Sequence, residues 1–371
     1  MTELEEKTER LVHILVENDL DAVIINAQHN FAWLTGGGSN GVDLSRENGI
    51  GSIIVTRDGD RFILANVIEI ERLLAEEVSE DDFDPIDFNW QGEKANPASV
   101  LEKARFVLET NARVATDIPM FSGIPAIEGK IAACRYQLTP NEAERYRSLG
   151  VDAGAVIKKV IDNIAAGESE IEIAEKIRHE LALGGMTSVV TLVAADERIS
   201  RYRHPVPTGN PWSKTLLLVT CAKRGGLIAS LSRMVCIGDV PDELKIKTEA
   251  AAYVNACLLN ATRPGVTGAE LYQVAANAYT EKGLTDEINR HHQGGAAGYR
   301  TRDWVAHPAS GEVVQEDQAF AWNPSITGTK VEETCILTAG GIEVLTASPD
   351  FPTITTVIDG QTYSSPGVLS I

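Results

Sequence analysis

The stretch HHQGGAAGY, from His291 to Tyr299, places two adjacent histidines before a glycine-rich turn. Imidazole nitrogens bind metals and transfer protons near neutral pH, and glycine lets a ligand approach the backbone closely. A metal site would need further nitrogen, sulfur or carboxylate donors brought to the same point by the fold. The stretch therefore indicates either a ligand-facing segment or two hydrogen-bonded histidines in a tight turn.

Other side chains capable of chemistry occur elsewhere in the chain. His204 lies in RHPVPTGN, Glu332 in VEET, and Arg302 in GYRTRDW. If this last segment is extended, the two-residue period of a strand places Arg300 on the same face as Arg302. Guanidinium groups match carboxylates bidentately, so the arginines predict a substrate that carries a carboxylate. Surface salt bridges to the many acidic residues are the alternative for both.

The composition favours a small molecule as the partner. The chain has 371 residues, of which 43% are hydrophobic and 23% charged, as in ordinary globular proteins with room for two domains. Its formal net charge of −20 opposes binding to nucleic acid or to an anionic membrane surface. Such a charge suits a salt-rich cytoplasm as well as an acidic protein of no special habitat.

The cysteines and the N-terminal residues predict a cytoplasmic protein. The five cysteines lie far apart without a C-x-x-C pair, which favours neither a disulfide framework nor a thiolate zinc site. The first residues, MTELEEKTERLVHILVEN, are acidic and amphipathic, unlike a secretory signal. No apolar run approaches the roughly 18 to 20 residues that span a bilayer.

The order of predicted elements changes about a third of the way along the chain. Before that point short strands such as LDAVIIN alternate with helices, and GSIIVT with RFILAN predicts a hairpin around Asp58 and Gly59. A helix start is predicted where Pro140 and Asn141 precede an acidic turn, with Asn141 near the cap. Two long helices, strands, two more helices and final strands follow, which predicts a second, α+β domain.

Five segments carry a resemblance to a known family: LDAVIINAQHNFAWLTG, RHPVPTGN, LLLVTCAKRGGLIASLSRMV, HHQGGAAGY, and VEETCILT followed by GIEVLT. In this order the chain resembles the creatinase and Xaa-Pro peptidase superfamily over nearly its whole length. The resemblance implies an α+β fold with an N-terminal α/β creatinase-like domain, residues 1–137, and a C-terminal pita-bread domain, residues 138–371.

The positions of the family's metal ligands differ sharply here. The metallopeptidases of the family hold two cations with two aspartates, one histidine and two glutamates, and these positions fall on Val219, Ser230, Gly295, Asn323 and Glu332. Hard cations need several charged or carbonyl oxygens, and of these side chains only Glu332 retains a carboxylate. The resemblance therefore predicts no dinuclear metal site and no cofactor.

The resemblance to creatinase implies a reaction that needs no metal. The first prediction is a metal-independent hydrolase of a C–N bond, in an amide, amidine or cyclic compound that carries a carboxylate. His204 would shuttle the proton, and His291 and Glu332 would complete the catalytic group. The alternatives are an Xaa-Pro dipeptidase- or aminopeptidase-like metallopeptidase and a non-catalytic binding protein.

Substrate contacts are predicted for Arg302, Arg300, Tyr299, Asn323 and Phe31. In family members the N-terminal domain of one chain covers the active site of its partner, and the segment NFAWLTGGGSNG around Phe31 is similar to such a covering loop. The resemblance therefore implies a homodimer.

Overall fold

The computed structural model describes residues 1–96, 98–109 and 111–371. It has two compact units, Met1–Arg135 and Tyr136–Ile371. The sequence predicts a domain boundary after residue 137, and the division into compact units falls between Arg135 and Tyr136. Helices and sheets occur in both units, and the predicted α+β fold class is confirmed.

The N-terminal unit is a mixed sheet flanked by helices. Its strands are β1 (Ala22–Ala27), β2 (Asn48–Thr56), β3 (Arg61–Asn66), β4 (Asp84–Phe88) and β5 (Val114–Thr116), in the order β4-β3-β2-β1-β5. Its helices are α1 (Glu3–Glu17), α2 (Gln28–Leu34), α3 (Ile70–Arg72, continued by a π-helical turn Leu73–Glu77), α4 (Trp90–Ala95), α5 (Ala98–Ala104) and α6 (Glu128–Arg135). The apolar strand AVIINA is buried along its whole length, and Gly59 turns the β2–β3 hairpin with a φ of +91° that glycine adopts readily.

The C-terminal unit begins with the long helices α7 (Pro140–Ile161) and α8 (Glu170–Leu183). They are followed by β6 (Thr187–Ala195), α9 (Arg198–Arg201), β7 (Thr215–Arg224), β8 (Leu227–Cys236), α10 (Asp242–Ala261) and α11 (Gly268–Glu281). The remaining strands are β9 (Gly294–Ala296), β10 (Trp304–Val305), β11 (Gln318–Trp322), β12 (Ser325–Ile326), β13 (Thr329–Lys330), β14 (Glu333–Thr338), β15 (Gly341–Val344), β16 (Thr353–Ile358), β17 (Gln361–Pro366) and β18 (Val368–Ser370).

Two sheets of this unit position the candidate site. One has the strand order β18-β8-β7-β6 and the other β10-β9-β11-β14-β15. The hairpin β7–β8 turns at Gly225 and Gly226, both with positive φ, and every residue of β8 is buried. A bridge between Ser232 and Glu332 joins the two sheets, so strands distant in sequence meet at one place.

The start of α7 differs in detail from the sequence prediction. Thr139, rather than Asn141, is the N-cap: its hydroxyl accepts the Glu142 amide, and the Glu142 carboxylate accepts the Thr139 amide in return. Pro140 occupies the first turn, where its missing N–H costs nothing. The capping box accounts for the shift, because threonine with glutamate three residues later satisfies two backbone donors at once. Among the described residues, no helix combines the length and apolarity of a membrane span.

Candidate functional site

A pocket of about 280 Å³ lies where the two sheets of the C-terminal unit meet. Its apolar wall comes from β6 and β7, and its polar wall comes from the segments around the candidate residues of the sequence analysis. The lining residues are Val190, Leu192, His204, Val219, Cys221, His292, Thr301, Arg302, Asn323, Lys330 and Glu332. The structure therefore brings together His204, Arg302, Asn323 and Glu332 from four separate segments.

Glu332 is buried and fully engaged by the protein. Its side chain is 3% exposed, and its two oxygens are 2.9 Å from Lys330 Nζ and 3.1 Å from Arg302 Nη2. The hydroxyl of Ser232 donates to the same carboxylate at 2.5 Å. Burial opposes ionisation, but Lys330 and Arg302 outweigh burial and lower the pKa of Glu332 to about 2. Glu332 is therefore ionised at neutral pH and paired with two cations of the protein itself.

The ionised lining groups of the pocket do not balance. Lys330 and Arg302, 6% and 10% exposed, share the one carboxylate of Glu332. Arg302 also donates to the carbonyl of Thr301 at 2.6 Å, and among the described residues its buried Nε has no hydrogen-bond partner. The alternative of a salt bridge within the protein is therefore met in part, since Arg302 contacts Glu332, and the predicted contact with a substrate carboxylate stays a prediction. One positive charge is left over, because the two cations Lys330 and Arg302 pair with the single negative charge of Glu332.

Three histidines form a cluster at the edge of this pocket. His204 follows α9, and His291 and His292 precede β9. The Nε2 atoms of His204 and His291 are 3.0 Å apart, and the rings of His291 and His292 stack with centroids 4.3 Å apart. Their ligand-capable nitrogens all lie within 4.8 Å of one another.

The histidines are neutral at physiological pH. Burial, followed by the charge of Lys330, lowers the pKa of His291 to about 2. Burial and the charge of Arg302 lower the pKa of His292 to about 4, and burial also lowers that of His204. A neutral imidazole carries one N–H donor and one lone pair, so each ring can still accept a proton or bind a metal.

Several residues predicted to contact substrate lie elsewhere. Phe31 is completely buried in α2 of the N-terminal unit, so its side chain is a core residue and not part of an accessible loop. Tyr299 is buried, and its hydroxyl donates to Glu142 at 2.8 Å. Arg300 is exposed, because the segment it shares with Arg302 bends instead of forming a strand. The predictions for these three residues are corrected accordingly.

The family's dinuclear metal centre does not fit the residues present. Val219, Ser230 and Gly295 offer no ligand of the required kind, and both oxygens of Glu332 are already paired with side-chain cations. A Cβ built on Gly295 would lie 2.1 Å from the carbonyl oxygen of Trp304, so the strand pair β9–β10 leaves no room for a side chain there. No reaction step is assigned to such a centre in this protein.

Sequence reasoning missed two parts of the site. Lys330 lies two residues before Glu332, and the two-residue period of an extended segment could have indicated that both side chains point the same way. No separate role was predicted for His292, although two adjacent histidines can supply two ligand nitrogens and His292 lines the pocket. The approach of His204 to both could be recognised only from the fold.

The fold and the position of the pocket at the junction of the two sheets define a pita-bread domain that follows a creatinase-like domain in the chain. The model of metallopeptidase family M24 matches residues 144–343, and that of the creatinase/prolidase N-terminal domain matches residues 7–160. Because the first match covers more than half of the chain, the protein belongs to metallopeptidase family M24.

Several curated relatives and solved structures that are similar to this chain are Xaa-Pro peptidases. The Xaa-Pro dipeptidase of Lactobacillus helveticus is 22% identical over 91% of this chain and 96% of its own, and that of Pyrococcus horikoshii 21% identical over 92% and 97%. Among solved structures, the prolidase of Pyrococcus horikoshii OT3 is similar with a TM-score of 0.77 at 19% identity, over 92% of this chain and 98% of that one. The X-Pro aminopeptidase of Thermotoga maritima has a TM-score of 0.75 at 18% identity, over 98% and 99%.

These matches confirm the predicted hydrolase superfamily and correct the predicted reaction. The metal-independent creatinase-type hydrolase is wrong as the main prediction, because the matching family is one of metallopeptidases and the named relatives are Xaa-Pro dipeptidases. They agree instead with the alternative, an Xaa-Pro dipeptidase-like protein.

Proposed function

We propose that this chain is a peptidase of the Xaa-Pro dipeptidase type that binds a small peptide by its free carboxylate. The observation that carries the proposal is the charge of the pocket: Arg302 and Lys330 face one carboxylate, Glu332. The neutral histidines add no charge at neutral pH, so one positive charge remains for a ligand anion. The relatives that are named for dipeptides support the substrate class.

Arg302 is the better placed of the two cations to meet the peptide. Its guanidinium has five N–H donors in a planar fork, and in this chain some of these point to Glu332 and Thr301 while Nε is unused by the described residues. Lys330 can keep its ion pair with Glu332 while Arg302 donates some of its N–H groups to the carboxylate of a peptide. A charge-assisted contact of this kind contributes about 1.5 to 3 kcal/mol, or roughly tenfold to a hundredfold in affinity.

The test compares alanyl-proline with its C-terminal amide by calorimetry on chelator-treated native protein and on Arg302→Ala. Native protein should bind the acid more tightly than the amide, and the variant should lose about tenfold or more for the acid alone. Arg302→Ala should still fold because Lys330 continues to neutralise Glu332. Arg300→Ala is the matched control, since Arg300 is exposed outside the pocket lining, and it should leave both affinities unchanged.

Equal losses for acid and amide would refute recognition of the carboxylate. Release of free proline, measured separately, tests peptide hydrolysis, so binding and chemistry can fail independently. Arg302→Lys keeps the charge but loses the fork, and we expect it to fall between the native protein and the alanine variant.

We further propose a cytoplasmic homodimer. The free thiols of all five cysteines are consistent with a reducing compartment, and the resemblance to creatinase-like proteins supports the dimer. Light scattering of the purified chain should give twice the chain mass. A monomer that binds peptide with full affinity would contradict the dimer.

A further inference from the structure

We infer that His204, His291 and His292 form a binding site for one transition-metal cation, best matched by zinc. The site is separate from the five positions at which the family's metallopeptidases hold metal, and it does not depend on the proposed peptide. Its three nitrogens lie within 4.8 Å of one another. Three imidazoles with an open fourth position are an established ligand set for zinc.

His204 and His291 already lie about as far apart as two ligands of one metal ion. Their Nε2 atoms are 3.0 Å apart, close to the roughly 3.3 Å expected between two nitrogens bound tetrahedrally at about 2.0 to 2.1 Å from zinc. Without a cation, one of these nitrogens must carry the proton and the other the lone pair. With a cation between them both lone pairs are used, and each ring carries its proton on Nδ1. To bind the same ion, the third imidazole must move closer, because the three ligand nitrogens spread over as much as 4.8 Å, whereas tetrahedral zinc holds its nitrogens about 3.3 Å apart.

The turn that carries two of the ligands is anchored to the core. Gln293 donates from its side-chain amide to the carbonyl of His291, and the buried Tyr279 hydroxyl donates to Gln293 Oε1 at 2.7 Å. The amide of Asn323 donates to the Gln293 carbonyl at 3.0 Å. His291 and His292 are therefore held in place before any ion binds, which reduces the ordering cost of binding.

The charges around the cluster both permit and limit metal binding. A neutral imidazole offers the lone pair of one ring nitrogen to an ion without first releasing a proton. Lys330 and Arg302 repel a cation, and Glu332 offsets one of these charges. Their surplus also attracts an anionic fourth ligand, such as hydroxide or a carboxylate, from the pocket that His204 and His292 line. The expected complex is thus one cation held by three imidazoles and an exchangeable anion.

This assignment replaces the expectation that the protein binds no metal. That expectation rested on the family's ligand positions, whereas the histidine cluster uses a different set of side chains. Since both oxygens of Glu332 are occupied, we expect a single ion per chain and not the family's pair.

The experiment titrates chelator-treated full-length chain, without peptide, with zinc and with cobalt(II) by calorimetry. The expected stoichiometry is one ion per chain, and cobalt should show the visible absorption of a tetrahedral site. His204→Ala and His292→Ala should each weaken zinc binding by at least about tenfold, as expected when an imidazole ligand is lost. His179→Ala is the matched control, because His179 is an exposed histidine on α8 of the same unit, and it should bind zinc as the native chain does.

X-ray absorption of the zinc-loaded native chain provides a measurement that needs no variant, and it should show three imidazole ligands. No binding, two ions per chain, or one ion that persists in both histidine variants would each overturn the assignment. Because zinc is titrated without peptide, and peptide is tested without metal, failure of this site and failure of the proposed function are distinguishable.

Discussion

Replacing Glu332 with glutamine should destabilise the C-terminal unit by about 3 to 5 kcal/mol. The change removes the carboxylate that pairs with Lys330 and Arg302 while nearly keeping the side-chain volume. Both cations are at least nine-tenths buried, and breaking a buried ion pair by removing one partner typically costs this much. The pKa gives a similar magnitude: a fall from 4.5 to about 2 corresponds to about 3 kcal/mol, at about 1.4 kcal/mol per pH unit.

The pH dependence of this stabilisation has a defined sign. Because the folded pKa of Glu332 lies below its ordinary value of 4.5, the unfolded chain binds the proton first as the pH falls. The contribution is fully present above about pH 4.5 and is lost as the pH falls toward 2. Urea unfolding followed by tryptophan fluorescence between pH 3 and pH 7 should therefore show a smaller difference between native protein and Glu332→Gln at the acidic end.

Two further variants make the test specific to the buried charge. Glu332→Gln combined with Lys330→Met removes one cation with the anion and should recover part of the lost stability. Asp162→Asn breaks a 2.7 Å ion pair with Lys158 at the C-terminal end of α7, in which the Asp162 side chain is 52% exposed, and it should change stability by less than about 1 kcal/mol. If Glu332→Gln were no more destabilising than Asp162→Asn, the reasoning about the buried cations would be refuted.

Further predictions concern the strand pair β9–β10 and the histidine cluster. Gly295→Ala should destabilise by about 1 to 3 kcal/mol or more in thermal unfolding, because a Cβ there meets the Trp304 carbonyl oxygen, while Gly311→Ala, with nothing within 4 Å, should be neutral. Metal-free protein should lose stability as the pH falls below 6.5, since burial holds the folded pKa values of His291 and His292 at about 2 and 4 and the unfolded chain takes up protons first. A thermal midpoint that rises on acidification from pH 7 to pH 5 would contradict this sign.

The elements of the C-terminal unit could be read from the sequence where apolar residues run continuously. The segment TSVVTLVAA forms β6, and its last five residues are buried. A buried strand of this kind can be predicted from its own residues, because its apolar composition is visible without knowledge of the rest of the chain. The family's fold followed from the order of these segments.

The candidate site was less predictable because its contacts join distant parts of the chain. The hydrogen bond from Ser232 to Glu332 spans 100 residues, and that between His204 and His291 spans 87. Local patterns carry no information on such pairings. Local patterns can also predict a contact that the fold does not make. The position of Tyr299 in the glycine-rich segment predicts a ligand contact, but the fold buries this side chain against α7.

The changes at the family's metal positions and the three-histidine cluster follow from one electrostatic constraint. A buried carboxylate such as Glu332 needs cations, and in this chain Lys330 and Arg302 provide them from the protein itself. A metal ion at Glu332 would first have to displace both side chains and leave them buried without a partner, at a cost of several kcal/mol. The histidines carry no such charge and have no cation to displace. We therefore expect a metal that enters this pocket to bind the imidazoles, and we expect Arg302 to remain available for the carboxylate of a peptide.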